Sequence, residues 1–499
     1  MCSTAGAKAL ASLLGPDIEA PPAAARLLVT GLTADSRKVE PGMVFAALTG
    51  TRTDGARFAA EAVARGAVAV LTGYGAQLSD LAVPLLRAAD PRRALALMAA
   101  RYYAGQPEVA VAVTGTSGKT SVAEFARQLY ALLGRRAASL GTLGIITPSA
   151  TVYGSLTTPD PVSLAAALAD LARDGITHLA LEASSHGLDQ RRLDGVELSA
   201  AAFTNLGRDH LDYHPSMDAY LAAKLRLFSE LLPAGRTAVV NADDAHASKV
   251  AAAARGRGLE VLTTGVAGET LKLLALQPGP GFGQQLLVSH KAAKPQPIAL
   301  PLLGAYQASN ALLAAGLVLA TERSEAPDRV LAALASLSGI RGRLEIVGRS
   351  RGGLAVVDYA HKPEALAAAL SALRPFARAR LICVFGCGGD RDKGKRPIMG
   401  RIAVEKADVV IVTDDNPRSE DPAVIRAEIL GGTLGAAKPV HEIGDRAQAI
   451  AFAVEDMGAG DVVLVAGKGH ETGQIVGERL IPFSDHEVVL DALRGRQDG

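Results

Sequence analysis

Residues 111–120 read VAVTGTSGKT, an apolar run that ends in two glycines and a Lys-Thr pair. A buried strand followed by a glycine-rich turn and a helix is an arrangement in which backbone N–H groups bind phosphate. The standard pattern G-x-x-x-x-G-K-[ST] places its first glycine at position 113, where this chain has Val113. The stretch therefore predicts a shortened phosphate-binding loop in an α/β domain.

Each residue type in this loop has a chemical reason to be there. Gly115 and Gly118 allow backbone N–H groups to point at phosphate oxygens, Lys119 reaches the β- and γ-phosphates, and Thr120 offers a hydroxyl to Mg²⁺. The alternative is an ordinary strand–turn–helix connection, but the Lys-Thr pair directly after the second glycine favours phosphate binding. The predicted nucleotide-binding residues of the loop are Gly115, Thr116, Ser117, Gly118, Lys119 and Thr120.

The composition restricts the class of protein. Lys plus Arg number 52 and Asp plus Glu 51, so no overall charge attracts nucleic acid. No unbroken apolar run reaches the roughly 20 residues of a membrane span, and no basic segment precedes the short apolar patch at the N-terminus. The three cysteines, Cys2, Cys383 and Cys387, do not form a disulfide framework. We expect a cytoplasmic protein without nucleic-acid partners.

Strand-like runs alternate with alanine-rich helical runs along most of the chain, which predicts an α/β fold with mostly parallel sheets. The pattern restarts near residues 104 and 340, so the length of 499 residues divides into three domains: 1–104, 105–340 and 341–499. In the last of these, strands that each end in a polar or glycine-rich loop indicate a Rossmann-like doubly wound sheet. Its ligands are expected at the carboxyl ends of the strands.

A second polar cluster, EASSHGLDQRRLDG, follows the strand-like run THLALE. Glu182 ends that strand, where a carboxylate is able to bind a metal ion, and Ser184, Gln190 and Arg192 supply hydrogen-bond donors for an anionic ligand. The alternative is a solvated loop. The phosphate-binding loop elsewhere in the same domain favours a functional role.

Two histidines, His210 and His214, lie four residues apart in FTNLGRDHLDYH. A zinc hydrolase needs H-E-x-x-H, and Leu211 and Asp212 replace that pattern here. A single histidine ligand to Mg²⁺, or a structural histidine, fits better. Lys224 follows on an amphipathic helical pattern, which by itself indicates a surface lysine.

In the C-terminal segment, three strand ends carry charged loops. GCGGDRDKGKRP lacks the third glycine of a dinucleotide fingerprint, and its charge run would by itself be a solvated loop. We expect one crevice to collect Arg391, Asp415, Asn416, Arg418 and Glu471. Arginines pair with carboxylates and acidic groups pair with ammonium groups, so the crevice suits a zwitterionic amino acid.

Twelve motifs follow one another along almost the whole chain: TADSRKVEPGMVF, GTSGKT, LTTPD, EASSHGLDQRRLDG, FTNLGRDHLDYH, AAKLRLF, GAYQASN, GRLE, VDYAHKPEAL, GCGGDRDKGKRP, DNPR and GKGHE. In this order they resemble the motifs of the Mur ligase family. The shortened loop G-T-x-G-K-T is typical of that superfamily, which includes the folylpolyglutamate synthases. The resemblance implies a UDP-binding first domain, a central ATPase domain and a C-terminal amino-acid domain, with domain closure during turnover.

The resemblance also implies roles for individual residues. Lys119, Glu182, His210 and Lys224 would be catalytic, with Thr120, Glu182, His210 and a carbamylated Lys224 as ligands of Mg²⁺. ATP would contact the loop together with Asn310, Arg343, Asp358 and His361, and the UDP-muramoyl substrate would contact Ser36, Thr157, Thr158, Ser184, Gln190 and Arg192. The amino-acid substrate would contact Arg391, Asp415, Asn416, Pro417, Arg418, Gly467 and Glu471.

The activity implied by the resemblance is ATP-dependent amide ligation in peptidoglycan precursor synthesis, on which cell shape and division depend. The D-Glu γ-carboxylate of UDP-MurNAc-L-Ala-D-Glu would form an acyl phosphate and then an amide with meso-diaminopimelate. DNPR resembles the version that selects this amino acid over L-lysine, because Arg418 would pair with its second carboxylate. The alternatives are the same reaction with L-lysine and a ligase like folylpolyglutamate synthase.

Two other classes of protein are less consistent with the sequence. A nucleotide-gated switch would need D-x-x-G or N-K-x-D, and neither motif occurs. A plain hydrolase would release phosphate from ATP alone. We expect a monomer.

Overall fold

The computed structural model describes residues 6–50, 53–78, 81–154, 156–279 and 282–495, and Cys2 lies outside these ranges. The chain forms two compact units. The first contains Met1–Leu273, Ser289–Lys294 and Asn310–Ala333, and the second contains Leu274–Val288, Pro295–Ser309 and Leu334–Gly499. The division into three domains stays a prediction.

The N-terminal part of the first unit is a small α/β layer. Its strands are β1 (Lys8–Ala9), β2 (Ile18–Glu19), β3 (Leu28–Val29), β4 (Gly31–Thr33), β5 (Met43–Ala46), β6 (Ala69–Gly73) and β7 (Leu85–Ala88), and its helices are α1 (Ala59–Ala64) and α2 (Pro91–Tyr103). Five strands form a sheet in the order β2-β7-β6-β5-β4, while β1 pairs with β3. Helix α2 begins where the Asp90 carboxylate accepts from the Arg93 N–H and Pro91 presets the first turn.

The rest of the first unit is built on a mostly parallel sheet that carries the phosphate-binding loop. Its strands are β8 (Val109–Thr114), β9 (Ala137–Gly141), β10 (Gly144–Ile146), β11 (Thr151–Val152), β12 (His178–Glu182), β13 (Ala200–Phe203), β14 (Thr237–Asn241), β15 (Glu260–Gly265) and the first three residues of β16 (Leu271–Pro278), the remainder of which belongs to the second unit. Strands β9, β12, β8, β13, β14, β15 and β16 run parallel in that order, and β10 and β11 add antiparallel pairs beyond β9. The carboxyl ends of β8, β12 and β13 therefore lie side by side.

Helices alternate with these strands: α3 (Lys119–Leu132), α4 (Pro161–Arg173), α5 (Ser185–Asp189), α6 (Met217–Arg226) and α7 (Ala247–Gly256). They are followed later by α8 (Ala305–Thr321), which belongs to this unit from Asn310 onward, and by α9 (Pro327–Ala333). Leu164 of α4, Leu179 of β12 and Phe203 of β13 belong to one buried core. Burial of such apolar side chains stabilises the sheet by about 2 kcal/mol per residue, and it fixes the strand ends that carry the polar loops.

The second unit contains most of β17 (Gln284–His290), up to Val288, its antiparallel partner β18 (Gln296–Leu300), and a six-stranded sheet. The sheet strands are β19 (Glu345–Ser350), β20 (Gly353–Asp358), β21 (Leu381–Phe385), β22 (Val409–Val412), β23 (Val440–Glu442) and β24 (Val462–Ala466), and a hairpin of β25 (Gly473–Val476) and β26 (Arg479–Pro482) follows. Their order is β19-β20-β24-β21-β22-β23, parallel except for β19. The helices are α10 (Pro363–Leu373), α11 (Lys395–Lys406), α12 (Pro422–Gly431), α13 (Arg446–Asp456) and α14 (Asp485–Gly495).

The predicted fold class is confirmed, and the strand before the phosphate-binding loop, the helix after it and the parallel C-terminal strands all form. The sequence interpretation missed the region between β14 and α8, where α7 and β15 to β18 lie. These strands mix exposed and buried positions, and most positions of β16 are exposed or partly exposed. Polar residues therefore interrupt their apolar runs, which is why the sequence pattern did not predict them as strands. In the described part of the chain, no helix combines the length and apolarity required to cross a membrane.

Candidate functional site

At two positions of the loop between β8 and α3, the backbone has a conformation that only glycine adopts without strain. Gly115 has φ +146° and Gly118 has φ +86°, both in the region where an L side chain is disfavoured. A Cβ on Gly115 would collide with the Thr204 hydroxyl, and one on Gly118 would lie 2.5 Å from the Asn310 Oδ1 atom. The predicted nucleotide contact Asn310 therefore faces the loop.

Two lysines converge on one carbonyl of this loop. The Lys119 Nζ atom donates to the carbonyl oxygens of Gly115 and Thr116, each at 2.9 Å. The Lys224 Nζ atom donates to the same Gly115 oxygen at 2.7 Å and lies 4.3 Å from the Tyr220 ring centre. Lys224 is only 1 % exposed, so the surface lysine indicated by the helical pattern is wrong.

A neighbouring strand end holds the loop in place. The Thr116 N–H donates to the Asn205 backbone oxygen at 2.8 Å. The Ser117 N–H donates to the Asn205 Oδ1 atom at 3.0 Å. The Thr204 hydroxyl donates to the Ser117 carbonyl at 2.6 Å. The sequence interpretation missed Thr204 and Asn205, although they directly follow β13, whose carboxyl end lies beside that of β8.

Glu182 and Thr120 line one small cavity, and Glu182 is 1 % exposed. The Glu182 carboxylate accepts from the Thr142 N–H at 2.7 Å and from the Thr142 hydroxyl at 3.3 Å. A buried carboxylate beside a hydroxyl offers the oxygen ligands that Mg²⁺ prefers, so these two residues fit the predicted metal. No group of three or more His, Cys, Asp or Glu side chains within the described ranges forms a complete metal cage.

His210, the other predicted ligand, has φ +52°, and its Nε2 atom lies 3.4 Å from Asp209 Oδ2. Its ring centre lies 5.0 Å from that of His186 and 6.0 Å from that of Tyr220. Tyr220 in turn is 3.1 Å from the Thr116 hydroxyl. The structure thus connects His210 to the phosphate-binding loop through Tyr220, while its role as a metal ligand stays a prediction.

The buried His214 and the partly buried His186 belong to the same ring cluster. The His214 ring centre lies 5.7 Å from that of His186 and 5.2 Å from that of Tyr220. Burial lowers the pKa of both histidines, and the neighbouring His214 adds to the lowering at His186. The buried His214 Nε2 atom has no hydrogen-bond partner among the described residues, so both alternatives for His214, a metal ligand and a structural histidine, stay predictions.

Apart from Ser36, the residues predicted to contact the sugar substrate form one hydrogen-bonded group, the Thr158 cluster: Thr157, Thr158, Ser184, Gln190 and Arg192. The Thr158 hydroxyl donates to the Glu182 carbonyl at 2.8 Å and accepts from the Ser184 N–H at 3.1 Å. Arg192 donates to the Thr158 carbonyl at 2.6 Å and to the Gln190 Oε1 atom at 2.7 Å. The side chains of Thr157 and Thr142 meet at 3.0 Å.

Ser36 is the exception among the predicted substrate contacts. It begins a short 3₁₀ turn after Asp35, whose carboxylate accepts from the Arg37 N–H. The Ser36 carbonyl accepts locally from the Val39 N–H at 3.4 Å. Nothing among the described contacts joins it to the Thr158 cluster, so its role stays a prediction.

In the second unit, Asp358 and His361 flank the end of β20. Burial raises the pKa of Asp358 to about 6. The charge of Arg343 and the hydrogen bond from the Leu344 N–H act in the opposite direction and lower this pKa, but burial has the larger effect. The Arg343 guanidinium lies 4.7 Å from the Tyr359 ring centre. Burial lowers the pKa of His361 to about 4, with Lys362 adding to the effect, so His361 is neutral at physiological pH.

His470 completes this group from the GKGHE loop. Its ring centre lies 5.0 Å from that of Tyr359, and the His361 ring centre lies 4.5 Å from the same ring. Burial, followed by the charge of Arg343, lowers the pKa of His470 to about 4. Two neutral imidazoles and an arginine therefore surround Tyr359. The sequence interpretation included Arg343 and His361 but missed Tyr359 and His470.

Four of the residues predicted to contact the amino acid form the Asp415 cluster at the ends of β22 and β24: Asp415, Asn416, Arg418 and Glu471. The Asn416 Nδ2 atom donates to the Glu471 carboxylate at 3.0 Å, and Arg418 donates to the Gly389 carbonyl at 2.8 Å. A Cβ on Gly467 would lie 2.6 Å from Asp415 Oδ2. That buried oxygen has no hydrogen-bond partner among the described residues, so it is available to an ammonium group.

Two other predicted amino-acid contacts behave differently. The carbonyl of Pro417 accepts from the Glu420 N–H at 3.1 Å, which closes the turn that carries Arg418. Arg391 is exposed, and its guanidinium donates to the carbonyl of Asp390 at 3.0 Å. No described contact joins Arg391 to the Asp415 cluster.

Two buried cations of this region were missed by the sequence interpretation. Lys468 is 0 % exposed, and its Nζ atom donates to Asn416 Oδ1 at 3.0 Å and Glu471 Oε2 at 2.9 Å. Arg446 forms a fully buried pair with Asp485 through two contacts of 2.7 Å. It also donates to the carbonyls of Asp414 at 3.3 Å and Ala466 at 3.0 Å. Arg446 thus fixes the two strand ends that precede Asp415 and Gly467.

Three family models and a solved structure match most of this chain. Residues 28–103 match the family model "Mur ligase family, catalytic domain", residues 113–318 the "Mur ligase middle domain" and residues 342–469 the "Mur ligase, glutamate ligase domain". A solved structure of UDP-N-acetylmuramoyl-L-alanyl-D-glutamate–2,6-diaminopimelate ligase superposes with a TM-score of 0.72 at 34 % identity. It covers 99 % of this chain and 100 % of the other.

Curated relatives match over nearly their full length. The chain is 55 % identical to a UDP-N-acetylmuramoyl-L-alanyl-D-glutamate–2,6-diaminopimelate ligase of Bradyrhizobium diazoefficiens, over 98 % of this chain and 99 % of the relative. It is also 55 % identical to the protein of the same name from Rhizobium meliloti, over 95 % of this chain and 96 % of the relative. The chain therefore belongs to the Mur ligase family.

Proposed function

We propose that the chain is an ATP-dependent ligase that joins 2,6-diaminopimelate to UDP-MurNAc-L-Ala-D-Glu in peptidoglycan precursor synthesis. The observation that carries this proposal is the 55 % identity over 98 % of the chain to a ligase of that name. The cluster of Asp415, Asn416, Arg418 and Glu471 supports the choice of an amino-acid substrate. We further propose that the enzyme is a cytoplasmic monomer and that cell-wall growth, cell shape and division depend on it.

Three functional segments follow from this proposal: residues 1–104 bind the UDP-muramoyl substrate, 105–340 bind ATP and 341–499 bind the amino acid. The ranges that match the three family models support this division. ATP would contact the loop of Gly115 and Gly118, then Asn310, Arg343, Asp358 and His361. The sugar substrate would contact Ser36 and the Thr158 cluster.

The reaction requires a carboxylate to become an electrophile. An oxygen of the D-Glu γ-carboxylate attacks the γ-phosphorus of ATP, and the bond to ADP breaks. The neutral amine of diaminopimelate then attacks the acyl carbon, phosphate leaves and the amine loses a proton. Alignment and neutralisation of negative charge supply most of the rate enhancement in such transfers.

The loop residues have specific tasks in this scheme. The loop N–H groups bind phosphate oxygens, and Lys119 turns from the Gly115 and Thr116 carbonyls, to which it donates at 2.9 Å, towards the transferred phosphoryl group. Arg343 would neutralise negative charge of bound ATP, and the neutral imidazoles of His361 and His470 add no further positive charge beside it.

Magnesium would be held by Thr120 and Glu182, which fit its preference for oxygen, and by His210 and Lys224 as a carbamate. Bound there, it would neutralise charge on the phosphates and on the acyl phosphate. A carbamate forms when the neutral Lys224 amine attacks carbon dioxide and loses a proton. This replaces a cation by an anion next to the phosphate-binding loop, where Lys224 is buried.

Selectivity for diaminopimelate rests on charge complementarity. Its distal end carries an ammonium and a carboxylate, whereas lysine carries only the ammonium. Asp415 Oδ2 offers a partner to the ammonium, and the planar Arg418 guanidinium offers two parallel donors to the carboxylate. With lysine, Arg418 would be desolvated without its partner, which disfavours binding.

The proposal is tested with the Arg418→Lys variant, which keeps the charge and loses the two parallel donors. We expect the KM for diaminopimelate to rise about 30-fold, as a charged bidentate contact is worth about 2 kcal/mol, with the KM for ATP unchanged. Arg401→Lys, at an exposed position of α11, is the matched control and should behave as wild type. Mass spectrometry should find the tripeptide product, and an unchanged KM in Arg418→Lys would contradict the assignment.

A further inference from the structure

We propose that Lys468 is a positioning and specificity-determining residue, which orients Asn416 and Glu471 and balances the charge of the amino-acid pocket in favour of diaminopimelate over lysine. The inference rests on the proposed function and adds a residue that does not itself contact the substrate. It is drawn from the geometry of the GKGHE loop, in which Lys468 is the second residue.

The first step concerns the orientation of the Asn416 amide. Lys468 has only donors, and its Nζ atom lies 3.0 Å from Asn416 Oδ1. The Ile475 N–H also donates to this oxygen, at 2.9 Å. With two donors on its oxygen, the Asn416 amide has one orientation, and its NH₂ group faces the Glu471 carboxylate at 3.0 Å.

The second step concerns Glu471. Its Oε2 atom accepts from both Lys468, at 2.9 Å, and Asn416, at 3.0 Å. The side chain of Glu471 is 30 % exposed while that of Lys468 is 0 % exposed. The buried lysine therefore holds one carboxylate oxygen from inside, and the rotamer of the partly exposed carboxylate is fixed before the amino acid binds.

The third step concerns charge. Asp415 and Glu471 are carboxylates, and Arg418 and Lys468 are cations, so the four side chains sum to zero. Diaminopimelate, with two ammonium and two carboxylate groups, is neutral, whereas lysine carries one net positive charge. Without Lys468 the three remaining charged side chains would sum to one net negative charge, which would favour binding of the positively charged lysine. Buried charges interact strongly because water screens them little.

Two substitutions separate orientation from charge. Lys468→Met removes the donors and the charge at similar volume, and we expect the KM for diaminopimelate to rise about tenfold, as expected for lost charge-assisted hydrogen bonds. Use of L-lysine, measured as its kcat/KM relative to that of diaminopimelate, should also rise about tenfold. Lys468→Gln keeps one donor for Asn416 without the charge, so it should recover most of the KM but keep the raised use of lysine.

The controls distinguish this inference from the proposed function. Lys406→Met removes a lysine of the same unit whose Nζ atom contacts Ser371, and it should leave all constants unchanged. If wild type uses no diaminopimelate, the proposed function fails. If wild type uses it but Lys468→Met keeps the wild-type KM and discrimination, the inference is overturned. A uniform rise in the KM of all three substrates would also overturn it, since that would show a general structural loss. If Lys468→Met does not fold, Lys468→Gln tests the inference: wild-type discrimination between diaminopimelate and lysine in that variant would overturn it.

Discussion

The Arg446–Asp485 pair offers a sharp test of how the amino-acid pocket is supported. Both side chains are 0 % exposed and joined by two contacts of 2.7 Å. Removing one partner of a buried pair leaves an uncompensated charge and costs about 3–5 kcal/mol. We therefore expect Asp485→Leu and Arg446→Met each to lower the free energy of unfolding of the second unit by about 4 kcal/mol.

The double variant Arg446→Met, Asp485→Leu should behave differently. Replacing both charges by apolar side chains removes the uncompensated charge, but the carbonyls of Asp414 and Ala466 lose their Arg446 donors, at about 1 kcal/mol each. The double variant should thus lose only about 2 kcal/mol and be more stable than either single variant. Its KM for diaminopimelate should still rise, because the strand ends before Asp415 and Gly467 are no longer tied together.

The assay is urea unfolding of the full chain, followed by hydrogen–deuterium exchange in peptides that cover β20, β21 and β24. This reports the second unit separately from the first. Additive losses, with the double variant about 8 kcal/mol below wild type as the sum of two single losses, would refute the reasoning. So would a single variant within 1 kcal/mol of wild type.

Three further predictions concern other parts of the molecule. Gly118→Val should abolish phosphate release without unfolding the chain, because φ is +86° and a Cβ would lie 2.5 Å from Asn310 Oδ1; Gly134→Ala, in open space at φ +84°, controls for backbone strain. Lys224→Ala should be inactive and partly restored by added acetate, with activity in the absence of acetate contradicting the carbamate. Burial lowers the pKa of His361 and His470 from 6.5 to about 4. Above pH 6.5 both histidines are neutral in the folded and unfolded states, and protonation of the unfolded state costs about 3 kcal/mol of stability for each as the pH falls from 6.5 to 4. Asp358, whose pKa is raised from 3.8 to about 6, offsets about 3 kcal/mol of this loss as it takes up a proton, so a net loss remains. Urea unfolding at pH 7.5, 5.5 and 4.5 measures this, and a flat profile would contradict it.

The sequence predicted the parts of the fold whose signals are local. The apolar run before Gly115 and the helix from Lys119 follow from adjacent residues, as do the strands that end at Glu182 and Asp358. The parallel order of those strands then brings their ends to one edge of each sheet. This is why the Thr158 cluster and the Asp415 cluster assemble largely as expected.

The missed features depend on contacts between distant segments. Nothing in AAKLRLF shows that Lys224 turns inward to Gly115, which lies 109 positions earlier. Lys468 and Arg446 have no local pattern that separates a buried cation from an exposed one. Arg446 pairs with the distant Asp485, and Lys468 contacts the distant Asn416 as well as Glu471 of its own loop. Burial of charge is decided by the tertiary structure, so it cannot be read from the charges along the chain.

The central claim is tested most directly by phosphate release from ATP and Mg²⁺ with UDP-MurNAc-L-Ala-D-Glu, in parallel reactions with meso-diaminopimelate, with L-lysine and without an amino acid. We predict release only in the reaction with diaminopimelate, because the acyl phosphate turns over when the correct amine completes the amide. Release with lysine at a similar rate would contradict the role of Arg418 and Lys468, and release in all three reactions would contradict the ligase assignment itself.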